Sequence, residues 1–243
     1  MSVETAREIR PAVQVWGGKF MTSPELAEVE REVGLAQRAL YFRGRSAVLG
    51  DPPPAVVAEL FGIFPRWIID LVLPPATEAI GAAAAVSAYT EALARWSKTH
   101  LRASSLAELL PRLVEAADAS GLALFAGWQQ VAWPSDPVAR IGHGLMVLRE
   151  YRGGLHFAAL RAVGLTVPEA AVADPEGGRG RLLRTAWSPD AADELIARAR
   201  RRPDLDGRWR QAQALTDERM GELLEVLTKT ERAQLVAALA ALG

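Results

Sequence analysis

The sequence predicts an all-α chain with one small β-wing, in which a multi-helical N-terminal region packs on a C-terminal winged-helix-like domain. Three observations carry that prediction. Apolar residues recur at helical spacing through most of the 243 residues. Helix-start chemistry is repeated: Ser23-Pro24-Glu25, Asp136-Pro137, Thr166-Val167-Pro168-Glu169, Ser188-Pro189-Asp190 and Thr228-Lys229-Thr230-Glu231 each place a capping side chain before a proline or an acid. Short helices with tight turns then precede a basic segment, Arg208 to Leu215, in the order of a helix-turn-helix bundle and its wing.

The expected divisions are an N-terminal arm at 1–22, a helical scaffold at 23–134, and a winged-helix-like region with C-terminal helices at 135–243. The arm reads as ragged, with Trp16-Gly17-Gly18 as a turn. After Ser23, the spacing of Leu26, Val29 and Val33 predicts a helix closed by Gly34. Tyr41 to Gly50 has no period, and Asp51 with three prolines forms a rigid loop. Helical spacing returns at Val56, Val57, Leu60, Phe61 and Phe64, then at Trp67, Ile68, Leu71 and Val72, with Pro74-Pro75 expected to stop the second run. An alanine-rich helix is expected to about Leu101, with His100 near its end. The helix from Ser105 carries Pro111, where a kink is expected.

Val138, Ile141, Leu145 and Leu148 form the inner stripe of the helix that Asp136 starts, and Gly153-Gly154 is expected to break it. His156 then opens a second helix ending at Gly164, and Thr166 caps a third. Leu182-Leu183 reads as a short strand, Pro189 to Arg201 as a recognition helix, and Pro203 to Leu215 as the wing. Thr216 and Thr228 start the last two helices, which are the expected homodimer surface.

Composition narrows the function classes. Half the residues are apolar and 23% are charged, as in an ordinary globular chain. The absence of cysteine excludes disulfides, thiolate zinc sites and a thiol nucleophile. No window resembles a secretory leader or a membrane span, so a cytoplasmic location without a membrane partner is expected. No phosphate loop, dinucleotide fingerprint or nucleophile elbow is present, and neither a cofactor nor a metal is expected. The net charge is −1, yet between Gly177 and Arg210 nine arginines face five acids. Such a local excess suits a polyanion. Arg198, Arg201, Arg202, Arg208 and Arg210 are the candidate contacts to double-stranded DNA. Asp190, Asp193 and Glu194 oppose that reading, because they occupy the start of the expected recognition helix, the end that normally meets base edges.

A second constellation surrounds the expected helix break: His143, Glu150, Arg152 and His156, with Tyr41, Arg43 and Arg45 from the first half. A carboxylate beside an imidazole sets its tautomer and raises its pKa, which is general acid–base chemistry. The same groups could line a pocket for a small organic ligand, or form only a hydrogen-bonded network that pins the break. No catalytic residue is singled out among them.

Part of this pattern resembles a known family. Trp133-Pro134, His143, Leu148-Arg149-Glu150, Arg152-Gly153, His156, Trp187-Ser188 and Leu215-Thr216 match, in order, the motifs of a mainly actinobacterial family of helix-turn-helix, MarR-like DNA-binding proteins. Upstream, Arg45 to Gly50 resembles the family's Arg-x-x-Pro-Leu-Gly, with Val48 replacing proline. The resemblance covers roughly residues 24–230. The chain departs from the pattern at Tyr151, Gly154-Leu155, Ala186, and the arginine run with Pro203. The resemblance implies a DNA-binding, transcription-regulator-like protein, expected here to respond to a ligand. The alternative is a small-molecule-binding protein or enzyme of specialised metabolism on a scaffold that no longer binds DNA.

Overall fold

The helix-start chemistry is realised in a computed structural model that describes residues 2–242. Ser23 and Ser188 each accept a backbone N–H of the helix that follows, and Asp136 accepts two. Thr166 and Thr228 close full capping boxes with Glu169 and Glu231. The helices so started are α2 (Pro24–Glu32), α9 (Pro137–Ala162), α10 (Val167–Ala173), α12 (Pro189–Arg200) and α14 (Lys229–Ala240). The others are α1 (Ser2–Trp16), α3 (Ala39–Ser46), α4 (Pro54–Phe61), α5 (Arg66–Ala79), α6 (Ala82–His100), α7 (Leu106–Ala116), α8 (Ala123–Gln129), α11 (Gly178–Arg184) and α13 (Leu205–Leu224).

The all-α class holds, but there is no strand among the described residues, and hence no β-wing. Arg208 to Leu215 lies inside α13, a helix of 20 residues. Its composition explains the correction: Arg, Gln, Ala and Leu are strong helix formers. Leu205, Ala212, Thr216 and Met220 also fall on one buried helical face. Thr216 therefore starts no helix. It sits mid-helix, where its hydroxyl donates to the Ala212 carbonyl at 2.7 Å. Leu182-Leu183 is likewise helical, within α11.

Three expected interruptions are overridden. The ragged arm is helix α1, packed through Ala6, Ile9 and Val13 against α9, α13 and α14. Pro74-Pro75 does not stop α5, which runs on to Ala79. Gly153-Gly154 does not break α9, a 26-residue helix about 39 Å long. Glycine costs roughly 1 kcal/mol in a helix interior. At Gly154 the missing side chain is a packing solution, because a Cβ there would lie 2.9 Å from Leu122 Cδ2. The turn that ends α9 is Gly164, at φ 72°.

Three apolar cores organise the helices. The largest gathers α1, α2, α6, α7, the first two-thirds of α9, and the end of α13. A second joins α3, α4, α5 and Leu124 of α8 through Phe42, Val57, Phe61, Ile69 and Leu73. The third is a three-helix cluster of α10, α11 and α12, closed by Leu160 of α9 and Leu205 and Ala212 of α13. Helices α9 and α13 therefore pass through both the first and the third core. They are the rigid connection between the scaffold and the three-helix cluster.

Candidate nucleic-acid interface

The three-helix cluster is held by apolar contacts and by charge pairs among its own helices. Leu182 of α11, Ala192, Leu195 and Ala199 of α12, and Ala170 to Ala173 of α10 fill its interior. Arg179 makes a two-pronged ion pair with Asp193 at 2.6 and 3.0 Å, joining α11 to the first half of α12. The Arg179 guanidinium holds the Asp193 carboxyl below its usual range. Between those helices Trp187 donates its indole N–H to the Ile63 carbonyl at 2.8 Å, bracing the turn against the scaffold. Three short helices around one apolar interior, with α11 and α12 joined by a four-residue turn, match the composition of a helix-turn-helix unit in which α12 comes last.

The exposed side of α12 has two halves of opposite sign. Asp190, Asp193 and Glu194 are exposed near its start, and Arg198, Arg200 and Arg201 near its end. Beyond the helix lies a shallow depression of about 390 Å³, lined by Arg198, Arg201, Arg202, Pro203 and Arg208. Two of these arginines serve the fold. Arg208 donates to the Val163 carbonyl at 2.7 Å, and Arg202 to the Gly164 carbonyl at 2.6 Å, so both cap the negative end of α9. Arg202 also pairs with Glu169 at 3.2 Å. Arg200 pairs with Asp206 at 3.2 Å. Arg198, Arg201 and Arg210 are exposed and make no ion pair or side-chain hydrogen bond among the described residues. No acid from residues 2–134 neutralises any arginine of 179–210 among the described residues. Their carboxylate partners are Asp174, Glu169, Asp193 and Asp206.

The other seven candidates lie elsewhere, in separate groups in which Arg43, Arg45, His143, Glu150 and Arg152 are buried and Tyr41 and His156 half-buried. Arg45 and Glu150 form a two-pronged ion pair, both contacts 2.8 Å, between α3 and α9. Tyr41 accepts from Arg45 at 3.0 Å, and Phe61 lies 4.3 Å beneath the guanidinium. Burial pushes the Glu150 carboxyl up, but Arg45 and Arg149 together bring it below its usual value. Arg43, fully buried, donates to the carbonyls of Ile80 and Gly50 and pairs with Asp51. It ties the start of the proline loop to the turn between α5 and α6.

Arg152 and His156 belong to a seam among α1, α9 and α13. Arg152 donates to Gln213 at 2.9 Å and stands 3.6 Å from Asp217, which also pairs with Arg10 at 3.0 Å. His156 Nδ1 lies 3.0 Å from the Thr216 hydroxyl. That hydroxyl already donates its hydrogen to Ala212, so His156 is the donor and its Nδ1 carries the proton. Burial, then the positive charges of Arg152, Arg181 and Arg10, push the imidazole down to about 3. His143 is apart from both groups. It packs edge-on to Trp133 at 4.9 Å, with no hydrogen bond to either ring nitrogen among the described residues, and burial lowers it to about 4.

The two histidines and Glu150 are thus not brought round one cavity, and no metal-binding group of acids and histidines occurs among the described residues. Asp217 and Gln213 were missed in the sequence. Their signal was there: with α13 read as a helix, Gln213, Thr216, Asp217 and Met220 share its inner side.

No single helix of the described residues is long and apolar enough to cross a membrane. No curated protein and no solved structure matches the chain. A family profile does, over residues 6–243, which include the three-helix cluster and both long helices that carry it. The chain belongs to a helix-turn-helix family.

Proposed function

We propose that this chain binds double-stranded DNA through the end of α12 and the start of α13. The observation that carries this reading is the set of exposed, unpaired arginines at the end of the last helix of a helix-turn-helix unit, Arg198 and Arg201, with Arg210 on α13. Guanidinium groups in that state are free to neutralise phosphates. Arg202 and Arg208 form a fixed basic floor behind them. The acidic start of α12 argues against base reading by its first turn, so backbone contacts carry the affinity. A regulator role is the finer form of this proposal and rests on the family membership.

The test is fluorescence anisotropy with a random-sequence duplex at low salt. Binding is expected, with log affinity falling linearly in log salt by about 0.9 per phosphate contacted. Arg198→Glu with Arg201→Glu is expected to abolish it while leaving the fold intact. No binding by the unaltered chain at low salt overturns the proposal.

A second reading, small-molecule binding, is favoured by a cleft of about 540 Å³ between α7, α8 and α9. Trp133, Pro111 and Val114 supply apolar surface there, and Glu115, Gln129 and Arg140 supply polar groups. That volume is in the range of ligand sites. A thermal-shift panel of small aromatic acids and amines is the check: a shift that Trp133→Ala removes supports it, and no shift across the panel removes it.

A further inference from the structure

His143 is 1% exposed, and neither ring nitrogen has a hydrogen-bond partner among the described residues. At that burial the imidazole is out of reach of bulk water as well. Burial also keeps it neutral, so it presents one N–H and one lone pair. Its ring neighbours do not answer it. Trp128, 6.4 Å away between centroids, has spent its indole N–H on the Arg45 carbonyl. Trp133 meets it edge-on at 4.9 Å. A buried polar group without a partner destabilises the free chain, and a ligand that supplies the partner recovers that loss.

One side chain separates this imidazole from the cleft between α7, α8 and α9. Trp133 both lines that cleft and packs on His143. Arg140, three residues before His143 and so on the same side of α9, lines the cleft too. Gly144 lets the cover lie close: a Cβ there would stand 3.2 Å from Trp133 Cη2 and 2.6 Å from Leu110 Cβ. Trp133 belongs to the segment 130–136 that joins α8 to α9, so no helix fixes its backbone.

The free groups of the cleft set the chemistry of what fits it. Glu115 on α7 and Arg140 on α9 are of opposite sign, and neither makes an ion pair among the described residues. Arg140 donates its Nε–H to the Pro134 carbonyl at 3.3 Å, which leaves both Nη groups available. Gln129 spends its amide N–H groups on the carbonyls of Val114 and Ala117, which leaves its own carbonyl oxygen as an acceptor. Trp133, Val114 and Pro111 are the apolar surface. A ligand of one charge leaves the opposing group of the cleft unmatched, and a ligand carrying both signs matches both.

We infer that this cleft takes an aromatic α-amino acid whose ring carries an O–H or N–H. Its carboxylate meets Arg140, and its ammonium meets Glu115 and the Gln129 carbonyl. Trp133 turns its ring to face the ligand's ring, and the ring donor reaches the lone pair of His143. The inference rests on the small-molecule reading of the cleft and adds the ligand's class. It assigns the unpaired imidazole the part of a specificity group, because a buried site that hydrogen-bonds a ligand rejects the analogue lacking that bond.

Isothermal titration calorimetry of the full chain with tyrosine, tryptophan and phenylalanine tests this. At least one of tyrosine and tryptophan is expected to bind about tenfold or more tightly than phenylalanine, which lacks the ring donor. His143→Phe should erase that preference while holding or raising the Tm, since the unpaired imidazole is gone. Glu115→Gln and Arg140→Gln should each weaken binding about tenfold. Tyramine, without the carboxylate, and the des-amino analogue of tyrosine, without the ammonium, should bind more weakly than tyrosine by a similar factor. Binding of simple acids or amines with no preference for the amino acid overturns this inference and leaves small-molecule binding standing. A preference for the ring donor that survives His143→Phe, or equal binding of all three amino acids, also overturns it. No binding of any of these compounds overturns both readings.

Discussion

Two regions of this molecule use arginine in opposite ways. On α3 and α9, Arg43, Arg45 and Arg152 are buried and engaged with carbonyls, carboxylates and an amide. At the end of α12, Arg198 and Arg201 are exposed and unengaged. A buried guanidinium has lost its hydration and needs partners to exist where it is, so its removal or the removal of its partner is felt by the whole fold. An exposed one keeps its water until a phosphate displaces it. The first set therefore reads as structure and the second as available binding capacity.

The most severe test of that contrast is Glu150→Gln. The substitution keeps shape but leaves Arg45 buried without its countercharge. A loss of about 3–5 kcal/mol is expected in urea unfolding. Arg45→Met with Glu150→Leu should recover much of it, because breaking a buried pair costs more than replacing it with apolar groups. A Glu150→Gln chain of unchanged stability would place Glu150 outside the structural set and return it to the ligand-site candidates.

The pH response separates the regions next. His143 and His156 are held neutral, at about 4 and about 3, against an ordinary value of 6.5. Between those limits the unfolded chain binds more protons than the folded one, so stability rises with pH there. Acidifying from pH 6.5 towards 4 should therefore lower the Tm progressively. Glu150, held below its ordinary 4.5, adds a loss of the same sign as the pH falls through its folded value. His143→Phe should flatten the upper part of the profile, since burial is the sole cause of that shift. DNA affinity per folded molecule should be flat from pH 6.5 to about 5.5, because neither arginine nor an ordinary exposed carboxylate titrates there. A Tm independent of pH between 6.5 and 4 would contradict the burial of both imidazoles.

These differences also explain what was legible in the sequence. Capping signals are local chemistry, and Ser23, Asp136, Thr166, Ser188 and Thr228 all start helices as expected. The all-α class follows from them. Interruptions were less legible, because Gly154 and Pro74-Pro75 weaken a helix by amounts that packing against Leu122 and the second core can offset. The wing was a positional expectation attached to Arg208–Leu215, and the helical propensity and buried face of that segment decide otherwise. At the candidate sites, residue type was readable and burial was not. Nothing local in the sequence tells Arg208, whose guanidinium caps α9, from Arg201, which is exposed three residues after Arg198.

That last distinction gives the mildest prediction and the sharpest within one depression. Arg208→Ala removes the 2.7 Å bond to the Val163 carbonyl at the negative end of α9. It should cost about 1 kcal/mol of stability. Arg198→Ala and Arg201→Ala remove no bond among the described residues, and each should change stability by less than about 0.5 kcal/mol. In the duplex assay the order reverses. Arg198→Ala with Arg201→Ala should reduce the slope of log affinity against log salt by close to two contacts' worth, about 1.8. Arg208, whose donors are partly spent on the helix end, should change that slope by less than either. If Arg208→Ala flattened the slope most and left stability untouched, the capping arginine would be the phosphate contact, and the division of labour between the two arginine sets would fail at the one place where they adjoin.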